Sequence, residues 1–299
     1  METARLSTAR LRVSPGLQRY LNIKSAMFKG LCVACTAMVL AILALVTLYL
    51  LSRGFTHVNL SLFTKLPIPP GMENAPGGMV NAILGTLILI ALAGAVGIPL
   101  GMLAGIYLSE YSSNSWLGNP VRFTSDLLAG VPSIVVGILG YELAVVPLGQ
   151  FNGYAGAAAL AFIMIPIVAR TTEEILRLVP YGYREASIAL GATKARTILK
   201  VVIPAATGGL ITGVMLAIAR IAGETAPLLF TALGSRLLTL DPSNPFPSLP
   251  VQIFVYATGP YKDEQDLAWA GMLVLIALVF ALNLVVRLTI RTMQRRNRP

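Results

Sequence analysis

The sequence predicts an all-α integral membrane protein with six transmembrane helices, and three observations carry that reading. Charged residues make up only 12% of the 299-residue chain and hydrophobic residues 56%, with a mean hydropathy of +0.74. A soluble domain carries about 25% charged residues to wet its surface, so half that share excludes a water-facing globule. The apolar residues also fall in runs near the roughly 20 residues that cross a hydrocarbon core as a helix, where the chain satisfies its own backbone hydrogen bonds. Lysine and arginine, finally, crowd into alternate connections.

The runs are 28–51, 80–108, 127–148, 155–169, 205–230 and 268–288. The first and last are uninterrupted. The second exceeds one straight crossing and contains Gly97, Pro99 and Gly101, which predicts a kinked or tilted helix. The fourth is short before Arg170, with Pro166 bending its end. It gains length by continuing past the arginine, whose long side chain snorkels toward the interface.

Six spans put both termini on one side, and 18 of the 23 basic residues then share that side. They are Arg5, Arg10, Arg12, Arg19, Lys24 and Lys29 at the front, Arg122, then Arg170, Arg177, Arg184, Lys194, Arg196 and Lys200, and five arginines from Arg287 to Arg298. Arg53, Lys65, Arg236 and Lys262 lie opposite, and Arg220 falls within a span. Positive loops stay in the cytoplasm, so this asymmetry predicts a multi-pass membrane protein with both termini inside. It also accounts for the net charge of +10 without nucleic acid.

Several local patterns carry less than they suggest. The Arg-rich, acid-poor opening is read as a cytoplasmic tail rather than a transit peptide. Cys32 and Cys35 form a single CxxC inside the first run and are read as buried thiols. Asn59-Leu60-Ser61 matches a glycosylation acceptor, a three-residue pattern common by chance. His57 is the one histidine, which leaves a metal site or a histidine dyad without partners.

The expected organisation is a cytoplasmic tail over 1–27, a transmembrane helical domain over 28–290, and a basic tail over 291–299. The first external loop, 53–78, is rich in proline and glycine (Pro67, Pro69, Pro70, Gly71, Pro76, Gly77, Gly78) and is read as extended. The last, 231–266, is long enough to hold a short helix over 251–257 and to face an external partner. Between the fourth and fifth spans lies a hydrophilic segment. Its Thr171-x-x-Glu174 spacing reads as a capping box that starts or restarts a helix, and Pro180 interrupts it. A helix over 183–190 follows with Glu185 in its first turn, then Gly191 as a left-handed stop, then a basic amphipathic piece over 193–202 leading to Pro204.

Glu185-Ala186-Ser187, Gly191 and Val201-Val202-Ile203-Pro204 resemble the EAA motif of ABC importer permeases, with the glutamate, first alanine, glycine and proline at the family's spacing. Ser187 departs from alanine, Val201 from isoleucine and Ile203 from leucine. Four further stretches resemble the phosphate-specific branch of that family. They are Gly77 to Thr86, Pro99 to Leu108, Ala129 to Val135 and Ala219 to Leu228, the last containing Arg220-Ile221-Ala222-Gly223-Glu224-Thr225. The resemblance implies a type I ABC importer permease fold whose segment 181–204, with Glu185, Ala186, Ser187, Gly191, Ala192 and Pro204, couples to a cytoplasmic ATPase. It further implies a homologous permease partner (PstC-like), two ATPase subunits (PstB-like) and an external phosphate-binding protein. No G-x-x-x-x-G-K-[ST] loop is present, so the chain is expected to hold no cofactor, ATP-Mg being bound by the ATPase, and not to be an enzyme itself.

Arg220 and Glu224 stand out as charges inside a span, each costing about 2.5–3.5 kcal/mol at a helix centre. At i and i+4 they share a face and partly neutralise one another. Either they lock the fifth span structurally, or Arg220 contacts a passing anion with Thr225 beside it and Arg170 near the inner end of the path. In the second case Glu224 accepts the proton that phosphate carries near pH 7 and repels sulfate. The rival readings are a permease for sulfate, molybdate or another oxyanion, and a channel or secondary transporter working without ATP.

Overall fold

The computed structural model describes residues 15–69, 77–112, 116 and 118–296. Arg5, Arg10, Arg12, Pro70, Gly71, Pro76 and Arg298 lie outside them. Among the described residues the regular structure is helical, apart from one isolated bridge between Leu233 and Phe246. The chain divides into two compact units, 1–52 and 53–299.

Helix α1 (Pro15–Gly54) begins in the basic tail and runs through the first span without a break, so the expected boundary at 27 falls inside it. Cys32 and Cys35 are free and exposed on α1, which corrects the expectation that they are buried. The first loop is not wholly extended, for α2 (Leu60–Thr64) interrupts it. Asn59 is its N-cap, accepting from the Leu62 N–H at 3.2 Å and from the Ser61 hydroxyl, which explains the Asn-Leu-Ser pattern as a helix start.

The second span is α3 (Val80–Glu110), continuous through Pro99. The third span is the largest departure from the sequence reading. It is α4 (Gly118–Gly130) and α5 (Ser133–Gly140), meeting at 100°, with α5 continuing through a π turn, Tyr141–Val145, into α6 (Val146–Leu148). Pro132 disfavours helix at Val131, next to the flexible Gly130, so an apolar run that reads as one crossing folds as two helices. Helix α7 (Gly153–Arg177) is the fourth span and does continue past Arg170. Thr171 sits inside it, its hydroxyl donating to the Ile167 carbonyl at 2.8 Å, so no capping box starts a helix there.

Two short helices, α8 (Tyr181–Ala189) and α9 (Lys194–Thr197), carry the segment between the fourth and fifth spans. A π turn, Ile198–Val202, joins α9 to α10 (Ile203–Ala222). The Ile203 N–H reaches back five residues to Ile198, and Pro204 follows without an N–H of its own. The wider turn relieves the clash a proline ring makes with the carbonyl four residues before it, and Val146 before Pro147 uses the same device. Helices α11 (Ala226–Thr231), α12 (Leu249–Thr258) and α13 (Lys262–Arg296) complete the chain; α12 is the short helix expected in the last loop, and the expected boundary at 290 falls within α13.

Close helix packing sets the frame. A Cβ on Gly97 would lie 2.9 Å from Met164 Sδ, one on Gly101 2.7 Å from Val168 Cβ, and one on Gly105 2.5 Å from the Ala169 carbonyl. Three glycines one turn apart therefore let α3 lie against α7, and the rising numbers on both sides mean the helices run parallel. Against α10 the order reverses, Gly209 meeting Ile175 and Gly213 meeting Thr171, so α7 and α10 are antiparallel. The core built on these contacts joins Leu89, Leu160, Met164, Val168, Ala217 and Ile221. At the opposite end from α8, Phe246 is fully buried and the Thr86 hydroxyl accepts from the Leu249 N–H at 2.7 Å, which holds the last loop over the bundle. In that loop the Ser243 N–H donates to Asp241 Oδ1 at 2.9 Å and holds the Asp241 carboxyl below the usual carboxylate range.

Candidate functional site

The sequence treats 205–230 as one span, but α10 ends at Ala222. Gly223 caps it, Glu224 and Thr225 form the break, and α11 restarts with Pro227 in its first turn. Arg220 on the last turn of α10 donates to Glu224, whose side chain is 7% exposed against 57% for Arg220. The pair thus sits at a helix break and not on one face of a continuous helix. Thr225 lies at the start of α11, where its carbonyl accepts from the Leu229 N–H.

Depth follows from the neighbours. Gly213 faces Thr171, and α10 runs against α7, so Ile221 comes level with Met164, which abuts Gly97 near the middle of α3. The break is therefore level with the midpoints of the second and fourth spans. Non-helical backbone at that depth is stable only where protein covers it or water lines it. Part of the cover comes from α5, the second half of the bent third span, whose Gly137 lies against Pro227 and the Ala226 carbonyl. Arg220 itself remains more than half exposed beside this cover.

Arg170 is not brought to that pair. Its guanidinium donates to Asp126 at 3.0 Å and to Glu174 at 2.7 Å. Thr171 beside it is level with Gly213, seven residues before Arg220, or about 10 Å along the helix at 1.5 Å per residue.

The EAA-like segment has the expected helix–glycine–helix order, but α8 begins at Tyr181, so Glu185 lies beyond its first turn. Gly191 has a φ of +83°, the left-handed conformation that ends α8. Glu185, Ala186 and Gly191 are exposed, Ala192 is half-buried, and the Ser187 and Thr197 hydroxyls hydrogen-bond at 2.8 Å across the turn. Leu190 is 89% exposed, an apolar side chain held out beside the motif. Pro204 opens α10 after its π turn.

What anchors this segment is a set of charges the sequence reading passed over. Glu110, the last residue of α3, receives Arg184 of α8 at 2.6 Å, with both side chains largely buried. Arg184 also donates to the carbonyls of Leu176 at 2.9 Å and Val179 at 2.8 Å at the end of α7. One guanidinium therefore ties α8 to the ends of two spans. Next to it, Glu173 on α7 is buried and receives both Arg122 and Arg177 at 2.6 Å. Arg122 also donates to Ser112 and the Leu108 carbonyl, fixing α4 to the end of α3. A sequence signal existed: a carboxylate at a helix C-terminus opposes the helix dipole and calls for a cation.

The comparisons with known proteins agree with this architecture. Residues 97–299 match the family described as the binding-protein-dependent transport system inner membrane component. The phosphate transport system permease protein PstA of Yersinia pestis is 47% identical over 236 residues, 79% of each chain. This chain belongs to the PstA family of inner-membrane transport permeases. Its likeness extends to the archaeal probable PstA of Methanocaldococcus jannaschii, 36% identical over 81% of this chain and 82% of that one. Among solved structures, the MetNI methionine ABC transporter in an inward-facing form has a TM-score of 0.59 at 22% identity, over 72% of this chain and 95% of that one. A bacterial ABC transporter for the acidic polysaccharide alginate has a TM-score of 0.62 at 13% identity, over 94% and 100%. At these identities the two structures establish the fold alone.

Proposed function

We propose that this chain is the transmembrane permease subunit of an ATP-driven importer of inorganic phosphate, forming half of the translocation path. The carrying observation is the break in the fifth span at mid-depth, with Arg220 open and Glu224 buried beside it. An exposed arginine at that depth is too costly to face lipid, so it faces a water-filled path or a second subunit. A homologous permease, PstC-like, completes the site from the other side. The PstA relatives, named for phosphate transport, support the choice of anion.

Energy comes from outside this chain. The exposed α8–Gly191 segment docks on one of two PstB-like ATPase subunits, which bind the ATP-Mg, and a phosphate-binding protein delivers the ion to the face carrying the 231–266 loop. The basic ends of the spans support an orientation with both termini in the cytoplasm. Glu110, Arg122, Glu173, Arg177 and Arg184 all cluster at the end of the bundle that carries α8, as this orientation requires.

Selectivity tests the site. Phosphate near neutral pH still carries a proton to donate to Glu224, whereas sulfate does not. In Glu224→Gln the amide has an N–H that donates to sulfate and no longer repels it. Phosphate uptake with sulfate as competitor should show selectivity falling by about tenfold, the equivalent of one charge-assisted hydrogen bond. Unchanged exclusion of sulfate would assign Arg220 and Glu224 a structural role only.

A further inference from the structure

A second cleft, of about 510 Å³, lies behind α8, between it, the ends of α3 and α7, and α9. Arg177, Arg184 and Lys194 line it against one carboxylate, Glu110. That carboxylate is already engaged by Arg184, and Glu173 behind the cleft is engaged by Arg122 and Arg177. Three cations of the lining thus face one carboxylate, and Glu173 is shared between Arg177 and Arg122, so the cleft keeps a net positive charge. Arg184 is spent on Glu110 and two carbonyls. Arg177 reaches Glu173 through Nη2, which leaves the rest of its guanidinium to donate elsewhere. Lys194 Nζ stands 4.4 Å from the centre of the Tyr111 ring, a contact through charge that leaves its N–H groups available.

We propose that this cleft binds a phosphoryl group, with Lys194 and Arg177 as its charge contacts. The residues of α8 that line it are Tyr181, Arg184 and Ile188, spaced by three and four and so on one face. Ala186 falls on the opposite face of α8 from the cleft. Leu178 and Ile198 give the same cleft an apolar side. A free phosphate ion and the headgroup of an anionic phospholipid present the same chemistry to the cations, and the apolar side suits the second as well. A bound group bridges α9 to α7 and braces α8 between them, which makes the stiffness of the coupling segment depend on occupancy. The inference stands on the cleft and goes beyond the transport reading: it concerns binding by this chain and holds or fails whatever ion crosses the membrane.

The test uses the full chain in nanodiscs and amide hydrogen exchange over residues 181–197. One arm is neutral phosphatidylcholine titrated with inorganic phosphate, and the other replaces part of the lipid by phosphatidylglycerol without phosphate. Protection of 181–197 in the first arm alone assigns the free ion, in the second alone the headgroup, and in both a site shared by the two. Lys194→Gln, at an exposed position, weakens that protection about tenfold in concentration, and Lys194→Arg restores it. Exchange in α3 and α7 serves as the folding control. Protection in neither arm, or protection that survives Lys194→Gln unchanged, overturns the proposal.

Discussion

Glu110→Ala is expected to lower phosphate uptake by about tenfold or more while the chain remains in the membrane. The substitution removes the buried carboxylate that Arg184 reaches at 2.6 Å and leaves a guanidinium, 13% exposed, with two carbonyls and no counter-charge. Breaking a buried pair on one side costs about 3–5 kcal/mol, and less where water reaches the end of the bundle. The cost falls on the joint between α8 and α3 rather than on the core, whose α3–α7 contacts lie away from it. A loose α8 still presents its exposed face to an ATPase but no longer moves the spans with it. The informative readout is a split: ATP hydrolysis by the assembled transporter persists while uptake is lost. Glu110→Gln, which keeps the shape and one acceptor, should fall between. Loss of both activities together with loss of the protein would mean that the pair serves folding only.

Gly105→Leu should remove the protein from the membrane altogether. A single added Cβ would stand 2.5 Å from both the Ala169 carbonyl and Thr172 Cβ, and neither belongs to a flexible side-chain end. The rest of a leucine side chain would force α3 from α7 along the interface that Gly97 and Gly101 also hold. Overpacking of this kind costs about 1–3 kcal/mol for a few added atoms and more for a whole side chain against backbone. Gly208→Ala is the matched control, for a Cβ there meets nothing within 4 Å and alanine favours the helix. Membrane-fraction levels of the two variants compare them directly; equal levels would contradict the packing described for α3 and α7.

Much of this was legible in the sequence because the bilayer imposes simple rules. Length and apolarity marked the spans, and the left-handed Gly191 with Pro204 thirteen residues later marked the segment between the fourth and fifth. What was not legible depended on where a run of uniform hydropathy breaks. The stretch 127–148 is apolar on both sides of Val131-Pro132, so hydropathy does not see its 100° bend. The same holds for 205–230, where Gly223 ends a helix that reads as continuous. Arg220 and Glu224 were singled out correctly as neighbours, yet their setting at a helix break came only from the fold. Glu110, Glu173 and Arg184 were passed over because each looks like an ordinary charge at the end of a span; their partners lie 51 and 74 residues away along the chain.

The central claim is that this chain moves phosphate only when an ATPase drives it through the α8–Gly191 segment. Its most direct test is phosphate uptake into vesicles holding the reconstituted transporter, with and without ATP on the ATPase side, for the native chain and for Gly191→Val. At a φ of +83° a β-branched residue is strongly disfavoured although its Cβ has open space, so the variant distorts the turn without crowding the bundle. The account predicts uptake that requires ATP in the native transporter and is lost in Gly191→Val with normal amounts of protein in the membrane. Uptake that proceeds without ATP, or that Gly191→Val leaves untouched, would contradict it and mark the chain as a channel or secondary transporter.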